Sequence, residues 1–287
     1  MTVIKGRENM TKKKKLIISI SAVVVAVIIA AVLLFIFIKP SNGKKYDVSG
    51  CTVDTSSPLY GKTFYWLGSS VTLGMRSQNQ AVPDFLAARN GCVCKKEAVS
   101  GTTLFDAEKK GQPSYVSRLK SATEFDKDAD IDAFVCQIST NDAKSEFSSL
   151  WGEVSQTYYT DPSQIDTGTT AGAMEFVVTY VEKTWDCPIY FYSGSYFTDS
   201  GVRGSKDPSR ENYEKIIDLA EDVAKKWNEV EGYQIEIIDL FHDEEFNAIS
   251  DEDYKVYMHD PVHPYKAGYL LWWTPAFEEV FFEDFGK

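Results

Sequence analysis

The stretch "FYWLGSSVTLGMRS", from Phe64 to Ser77, places two adjacent serines directly after a short apolar run. Glycine and serine are common in turns, because they supply unusual backbone angles and local hydrogen bonds, so a simple turn is one interpretation. The other interpretation is that one of the two, Ser69 or Ser70, is a nucleophile held at the end of a strand. The rest of the chain decides between them.

Strand patterns alternate with helical patterns over most of the chain. Five short strand candidates lie at residues 62–67, 92–99, 132–139, 188–193 and 233–240. Between them apolar residues recur at helical spacing, most clearly from Tyr213 to Trp227. Strands that alternate with helices are typical of a parallel sheet covered on both faces. We therefore predict an α/β fold, a three-layer α/β/α sandwich of the flavodoxin-like kind with roughly five parallel strands.

Chemically useful residues follow four of these strands or stand close behind them. Open α/β sheets bind their ligands beyond the carboxyl ends of the strands. The groups at this edge are Gly68-Ser69-Ser70, Ser100-Gly101, Ser139-Thr140-Asn141-Asp142 and, after a loop, Asp260-Pro261-Val262-His263. A nucleophile, a glycine, a side-chain amide and an acid–histidine pair are therefore expected to meet at one edge of the sheet.

The acid–histidine pair supplies what a serine nucleophile needs. A serine hydroxyl becomes a good nucleophile when a neighbouring base takes its proton, and a carboxylate orients that base. Asp260 stands three residues before His263, and Pro264 disfavours helical conformation at His263. We predict two sets of groups: the catalytic residues Ser70, His263 and Asp260, and oxyanion donors from Ser70 N–H, Gly101 N–H and the Asn141 amide.

The four motifs together resemble those of the GDSL/SGNH hydrolase superfamily, over nearly all of the chain after residue 61. The family register selects Ser70 rather than Ser69, and the resemblance implies an SGNH-type serine esterase that uses no cofactor. Ser69 and Ser139 replace an aspartate and a glycine of the family pattern, so the oxyanion geometry is less defined than the triad. The α/β-hydrolase pattern Gly-x-Ser-x-Gly is not met, because Thr72 stands at its last glycine.

The connection from Asp142 to Thr170 is unusually long and carries aromatic rings among polar residues. We predict that Trp151, Tyr158 and Tyr159 overhang the site and bind the face of a sugar, although such rings also serve to pin a segment to its domain. The expected substrate is a small-acyl ester, acetyl first, on carbohydrate such as a cell-envelope glycan. The alternatives are a lipase or lysophospholipase, an acyltransferase using the same triad, and an inactive surface-binding module.

Charge divides the chain into two unequal parts. Residues 1–45 hold nine Lys or Arg and one Glu, whereas the remaining 242 residues carry 21 basic and 41 acidic residues, a net charge of −20. Such an acidic domain disfavours nucleic acid as a partner. No charged residue occurs from Leu16 to Ile38, and these 23 residues would span about 35 Å as a helix, enough to cross a bilayer.

These features predict a single-pass protein of the cell membrane with its basic end in the cytoplasm. The predicted order is a cytoplasmic segment at 1–15, a transmembrane helix at 16–38, an extracellular tether at 39–61 and an extracellular catalytic domain at 62–287. A cleaved signal peptide and a lipoprotein modified at Cys51 are the alternatives.

Cysteine and histidine positions give no metal signature. Cys92, Cys94 and Cys136 are predicted to be buried free thiols, and a disulfide between Cys51 and the domain is an alternative that the sequence does not decide. His259 lies four residues before His263, but the prolines around His263 break the helix that such a ligand pair needs, so we predict no metal site.

Overall fold

The chain folds around one parallel β-sheet, as a computed structural model shows for residues 40–106 and 113–287. The strands are β1 (Thr63–Gly68), β2 (Val93–Ala98), β3 (Ala133–Gln137), β4 (Ile189–Tyr192) and β5 (Ile235–Ile238). They pair in the order β2-β1-β3-β4-β5, and every pair is parallel. The carboxyl ends of all five strands therefore lie along one edge of the sheet.

Helices follow the strands in alternation and then close the chain. They are α1 (Ser70–Leu73), α2 (Val82–Asn90), α3 (Tyr115–Ser121), α4 (Thr170–Trp185), α5 (Arg210–Trp227), α6 (Glu244–Asn247), α7 (Asp251–Tyr257), α8 (Lys266–Gly268) and α9 (Thr274–Phe285). A π-helical stretch, Tyr269–Trp273, joins α8 to α9. The C-terminal helical region therefore begins at Lys266 and is interrupted by this π-helical stretch.

Alternating side chains on β1 show how the three layers form. Phe64 and Trp66 pack into an apolar cluster with residues of α2 and α9, whereas Tyr65 and Leu67 pack on the opposite face with residues of α3, α4 and α5. All four side chains are buried. Successive residues of a strand point to opposite faces, and burying a large apolar side chain contributes about 1.5–3 kcal/mol. The predicted α/β fold with a parallel five-stranded sheet is confirmed.

The helix α5 buries the face that its sequence pattern indicates. Tyr213, Ile217, Ala220 and Trp227 are all buried against the sheet side of the molecule. The hydroxyl of Ser209 accepts a hydrogen bond from the backbone N–H of Asn212 and so caps the first turn. The helix runs from the carboxyl edge of the sheet back to its amino edge, where β5 begins.

The segment predicted as a tether, residues 39–61, is described from residue 40 onward, and there it packs on the domain. From residue 40 onward it forms three 3-10 turns, Pro40–Asn42, Lys44–Tyr46 and Val48–Gly50. Val48 and Cys51 pack on the apolar cluster beside α2 and α9. The segment is therefore attached to the domain by side-chain contacts instead of extending away from it.

The predicted localisation, a single-pass protein of the cell membrane with its catalytic domain outside the cell, requires correction. In the two described ranges, no helix combines the length and the apolar character needed to cross a bilayer. This finding contradicts the predicted localisation, which we do not carry further. The segment predicted as the transmembrane helix, residues 16–38, lies outside the described residues, as does the predicted cytoplasmic segment 1–15.

The cysteines are free thiols. Cys92, Cys136 and Cys187 are buried, and Cys51 and Cys94 are partly buried. Cys92 directly precedes β2 and Cys94 is its second residue, and their Sγ atoms lie 3.7 Å apart. The predicted buried thiols at Cys92 and Cys136 agree with this arrangement, and Cys94 is more exposed than predicted.

Candidate active site

Ser70 lies in the tight turn that joins β1 to α1. The strand ends at Gly68, Ser69 is the N-cap of α1, and Ser70 is the first helical residue. A side chain at position 68 would collide with Thr72, since a Cβ there would lie 1.7 Å from Thr72 Oγ1. Glycine is therefore required where the strand meets the helix, and it lets the turn present Ser70 at the carboxyl edge of the sheet.

The side chain of Gln137, the last residue of β3, holds this turn in place. Its Oε1 accepts hydrogen bonds from Ser69 N at 2.9 Å and from Thr72 Oγ1 at 2.8 Å. Thr72 Oγ1 also lies 2.6 Å from the hydroxyl oxygen of Tyr192, the last residue of β4. Sequence analysis missed Gln137, although a polar residue that ends a buried apolar strand is a signal, because buried polar groups need partners.

The imidazole of His263 connects Ser70 to Asp260. Its Nε2 lies 2.8 Å from Ser70 Oγ, and its Nδ1 lies 2.8 and 2.9 Å from the two carboxylate oxygens of Asp260. The backbone N–H groups of Val262 and His263 donate to Asp260 Oδ1, each at 3.0 Å, so the carboxylate is fixed by its own turn. The structure thus brings together the three side chains that the sequence analysis selected.

The surroundings of Asp260 keep this carboxyl ionised. Burial raises its pKa, but the hydrogen bond and charge of His263, together with the N–H groups of the turn, bring the pKa below its usual value overall. A carboxylate beside Nδ1 favours the tautomer with the proton on Nδ1. Nε2 of His263 is then able to accept a proton from Ser70.

The predicted oxyanion donors lie on the turn after β1 and on the loops after β2 and β3. Gly101 has φ +80°, a left-handed backbone conformation that favours glycine. Asn141 is buried, and its Nδ2 donates to Thr102 O at 3.0 Å. Because this nitrogen carries two hydrogens, one is left for a second acceptor. The donor roles of Ser70 N–H, Gly101 N–H and Asn141 stay predictions.

The buried carboxyl group of Asp142 anchors the loop that carries Asn141. Asp142 accepts hydrogen bonds from Leu104 N at 2.9 Å and from Thr170 Oγ1 at 3.1 Å. Burial raises the pKa of Asp142 to about 6. The indole Nε1 of Trp151 donates to the carbonyl oxygen of Asp142 at 2.7 Å, so Trp151 is attached directly beside Asn141.

Arg118 of α3 holds two of these loops together. Its guanidinium is buried, and Nη2 donates to Gly68 O at 2.8 Å and to Thr102 Oγ1 at 3.1 Å. Its Nη1 donates to Glu97 O at 3.1 Å. These bonds fix the turn that leads to Ser70 against the loop after β2. Sequence analysis missed Arg118, because an arginine in a short helix is most often on the exposed face.

Replacing Arg118 by lysine is expected to lower kcat for p-nitrophenyl acetate by about 10- to 100-fold, because a misplacement of about 1 Å can cost about 10²-fold. Lysine keeps the charge but loses the planar fork that reaches both loops. Arg89→Lys is the matched control, because Arg89 also donates to a carbonyl, Leu270 O at 3.3 Å, and pairs with a carboxylate at 2.9 Å on Glu278. Equal rates for both variants would contradict a positioning role for Arg118.

Two of the predicted substrate-binding residues lie away from the triad. The hydroxyl of Tyr158 donates to Glu229 Oε2 at 3.0 Å, and its ring packs edge-on against Trp227 with centroids 5.6 Å apart. These partners lie at the C-terminal end of α5, on the amino side of the sheet, whereas Ser70 is on the carboxyl side. The structure therefore does not bring Tyr158 to the site, and its predicted contact with substrate is not retained.

Tyr159 and Trp151 differ in their relation to the site. Tyr159 lines a shallow cleft of about 270 Å³ together with Gln164 and Glu175, beside the first turns of α4. No contact of this cleft with the triad is observed among the described residues, so Tyr159 is not retained either. Trp151 is half-buried and is the one aromatic of the three that the structure attaches to the loop of Asn141.

The two remaining histidines do not contact Ser70 among the described hydrogen bonds. His259 Nδ1 lies 2.9 Å from the hydroxyl oxygen of Tyr265, and its Nε2 lies 3.9 Å from Asp260 Oδ2. His242 is on an exposed loop, with Nδ1 2.6 Å from Asp239 Oδ2. Within residues 40–106 and 113–287, no cluster of three or more His, Cys, Asp or Glu side chains is arranged to hold a metal ion.

Solved structures similar to this fold are known, whereas comparison of the sequence found no match. No family model matches the chain, and no curated protein matches it in sequence. Among solved structures, a protein from Lactobacillus plantarum superposes with a TM-score of 0.55 at 18% identity, over 78% of this chain and 98% of that chain.

Two enzymes of known name are similar in structure. A native aryl esterase from M. smegmatis superposes with a TM-score of 0.52 at 14% identity, covering 78% of this chain and 99% of its own. A carbohydrate acetylesterase family member from Sinorhizobium meliloti gives a TM-score of 0.50 at 16% identity, covering 79% and 100%. At these identities the likeness shows the fold, which is the fold that the four sequence motifs predicted.

Proposed function

We propose that this chain, which has the fold of the SGNH hydrolases, is a serine ester hydrolase. The observation that carries the proposal is the continuous hydrogen-bonded row from Ser70 Oγ through His263 to Asp260, with 2.8 Å between Ser70 Oγ and Nε2. Ser70 stands on the turn after β1, and Asp260 and His263 share a second turn. Parallel α/β sheets place their ligands at the carboxyl edge, where Ser70 lies. The arrangement meets the geometric test for a nucleophile, its base and the group that orients the base.

The proposed reaction proceeds in two halves. Ser70 Oγ attacks the ester carbonyl while His263 Nε2 takes its proton, and the carbonyl oxygen becomes an oxyanion. The Ser70 and Gly101 N–H groups and the Asn141 amide would stabilise that charge, which is commonly a large part of the rate enhancement. The intermediate collapses as the alkoxide leaves with the proton from His263, and Ser70 keeps the acyl group.

The second half releases the acid. His263 removes a proton from water, the resulting hydroxide attacks the acyl-enzyme, and the tetrahedral intermediate collapses as Ser70 Oγ leaves and regains its proton from His263. Asp260 remains ionised throughout and stabilises the imidazolium that forms in each half. The proposed steps use groups of this chain and one water molecule, and the absence of a cofactor stays a prediction.

The proposed substrate is an acetyl or other short-acyl ester on a neutral carbohydrate. Trp151, tied to the loop of Asn141, offers a half-buried ring of the kind that packs on a sugar face. The net charge of −20 after residue 45 disfavours polyanionic substrates. One of the structurally similar enzymes is named as a carbohydrate acetylesterase family member, which is in accord with this choice.

Labelling with a fluorophosphonate tests the reaction class directly. The probe forms a bond from Ser70 Oγ to phosphorus as fluoride leaves, and peptide mapping then locates the modified serine. We expect one label, on Ser70. A protein that hydrolyses no p-nitrophenyl ester and takes no label would contradict the proposed function.

A panel of p-nitrophenyl esters of increasing acyl length tests the substrate. We expect kcat/KM for the acetate to exceed that for the octanoate by about tenfold or more, because a small acyl site excludes the longer chain. Trp151→Ala should reduce acetate release from O-acetylated xylan more than it reduces turnover of p-nitrophenyl acetate. Tyr158→Ala is the matched control, and we expect it to leave both rates unchanged. A preference for octanoate or palmitate would instead assign the protein to the lipases.

A further inference from the structure

Two side chains near the start of the described chain, Asn42 and Asp47, bridge separate parts of the domain. We call residues 41–50 the N-terminal strap. The first bridge is the side-chain amide of Asn42, whose Nδ2 donates to Arg76 O at 2.8 Å and whose Oδ1 accepts from Lys266 N at 2.9 Å. One amide therefore joins the segment after α1 to the first residue of α8.

The second bridge is the carboxylate of Asp47. Its Oδ2 accepts hydrogen bonds from Lys266 Nζ at 2.6 Å and from Gln80 Nε2 at 2.8 Å. The Oε1 of Gln80 in turn accepts from Val48 N at 3.1 Å. Asp47 thus connects the same two parts of the chain as Asn42 does, the residues that follow α1 and the start of α8.

Lys266 makes this second bridge energetically important. Its side chain is 2% exposed, and Asp47 is its ion-pair partner. A buried ammonium group without a partner is strongly unfavourable, so the strap is needed to keep Lys266 charged and buried. The hydrogen bond from Lys266 also holds the pKa of Asp47 well below its usual range.

The two bridged segments are the ones that carry the proposed nucleophile and base. Arg76 follows Ser70 by six residues, and Lys266 follows His263 by three. The two segments belong to opposite ends of the domain sequence, and the hydrogen bond between Ser70 Oγ and His263 Nε2 depends on their relative position. A displacement of about 1 Å between reacting groups can cost about 10²-fold in rate.

We propose that Asn42 and Asp47 are positioning residues, and that the N-terminal strap holds the Ser70 turn and the His263 segment at the separation that the reaction requires. This inference rests on the proposed function. It assigns residues 41–50, where the sequence pattern indicated only a connection, a part in the active site.

The test compares Asn42→Ala, Asp47→Asn and the double variant in the full-length protein. Active-site concentration is determined by fluorophosphonate titration, and kcat and KM are measured for p-nitrophenyl acetate. We expect the double variant to lose about tenfold in kcat with KM within about twofold of wild type, because geometry and not substrate binding is altered. A purely structural role would lower the melting temperature and leave kcat per titrated site unchanged.

Asp54→Asn is the matched control. Asp54 lies just beyond the strap, and its carboxylate accepts hydrogen bonds from Ser56 N at 2.9 Å and from Ser56 Oγ at 2.6 Å, contacts confined to its own turn. We expect this variant to keep the wild-type kcat. If kcat of the double variant equals that of Asp54→Asn, the positioning role is overturned.

Hydrogen exchange separates failure of this inference from failure of the proposed function. In the double variant, backbone amides of residues 74–80 and 263–269 should exchange faster than in wild type, whether or not the protein turns over esters. Faster exchange in a protein that does not react with fluorophosphonate would support the structural role of the strap and contradict the proposed esterase activity. Unchanged exchange together with normal turnover would contradict the positioning role of the strap and leave the proposed esterase activity supported.

Discussion

Ser70→Ala is expected to abolish fluorophosphonate labelling and to lower kcat for p-nitrophenyl acetate by about 10⁴-fold or more. The reason is that Ser70 Oγ is the only hydroxyl observed within hydrogen-bonding distance of His263 Nε2 in the described part of the chain, at 2.8 Å. Without it no acyl-enzyme forms, and any residual rate comes from binding and oxyanion stabilisation of an attack by water. Stopped assays with purified protein and mass spectrometry of the labelled peptide provide the measurement.

Ser69→Ala is the control for this variant, since it removes the same atom one residue earlier. Ser69 is buried, and its hydroxyl faces Gln137 Oε1 at 3.3 Å rather than His263. We expect Ser69→Ala to retain labelling and appreciable activity, because the substitution removes a hydrogen bond that stabilises the turn and not a group of the triad. Full activity in Ser70→Ala, or loss of labelling in Ser69→Ala alone, would show that the nucleophile is misassigned.

His263→Ala is expected to lower kcat by a similar factor, on the order of 10⁴-fold, since the members of such a triad act as a unit. Its Nε2, 2.8 Å from Ser70 Oγ, is the proposed proton acceptor, and its Nδ1 lies 2.8 Å from Asp260 Oδ1. Because the lost group is the base, part of the activity should return at high pH, where hydroxide ion substitutes for it. The rate of p-nitrophenyl acetate hydrolysis between pH 6 and pH 10 gives the comparison.

The chain contains a close control for this substitution. His242 follows Asp239 by three residues, as His263 follows Asp260, and its Nδ1 lies 2.6 Å from Asp239 Oδ2. Its side chain is 46% exposed, and its partner Asp239 also accepts a hydrogen bond from Ser193 Oγ at 2.8 Å. We expect His242→Ala to keep kcat within about twofold of wild type, because exposed substitutions have small effects. A loss as large as that of His263→Ala would mean that the wrong pair was selected.

Much of the fold and the core of the candidate site could be predicted from the sequence. Alternation of Phe64, Tyr65, Trp66 and Leu67 between two faces requires a sheet covered on both sides, and strand periodicity is a local property that a sequence displays directly. Parallel strands then bring their carboxyl ends to one edge whatever the details of packing. That rule, together with the Asp260–His263 spacing and the resemblance of the four motifs to those of the SGNH hydrolases, grouped Ser70 with the distant segment that carries His263.

The tertiary structure decided which side chains support that site and which lie elsewhere. Arg118 and Gln137 act through contacts with backbone or side-chain groups far away in the sequence, and no periodic pattern encodes such partners. Tyr158 sits in the long connection after Asn141, where no regular element determines the path of the chain, so its position depended on packing against α5. The sequence was sufficient for the sheet, for the edge that carries the candidate site and for the choice of Ser70, His263 and Asp260, because these follow from local periodicity, topology and motif spacing. Only the folded chain determined how Asn42 and Asp47 bridge its two ends, because that contact exists only once both segments are packed together.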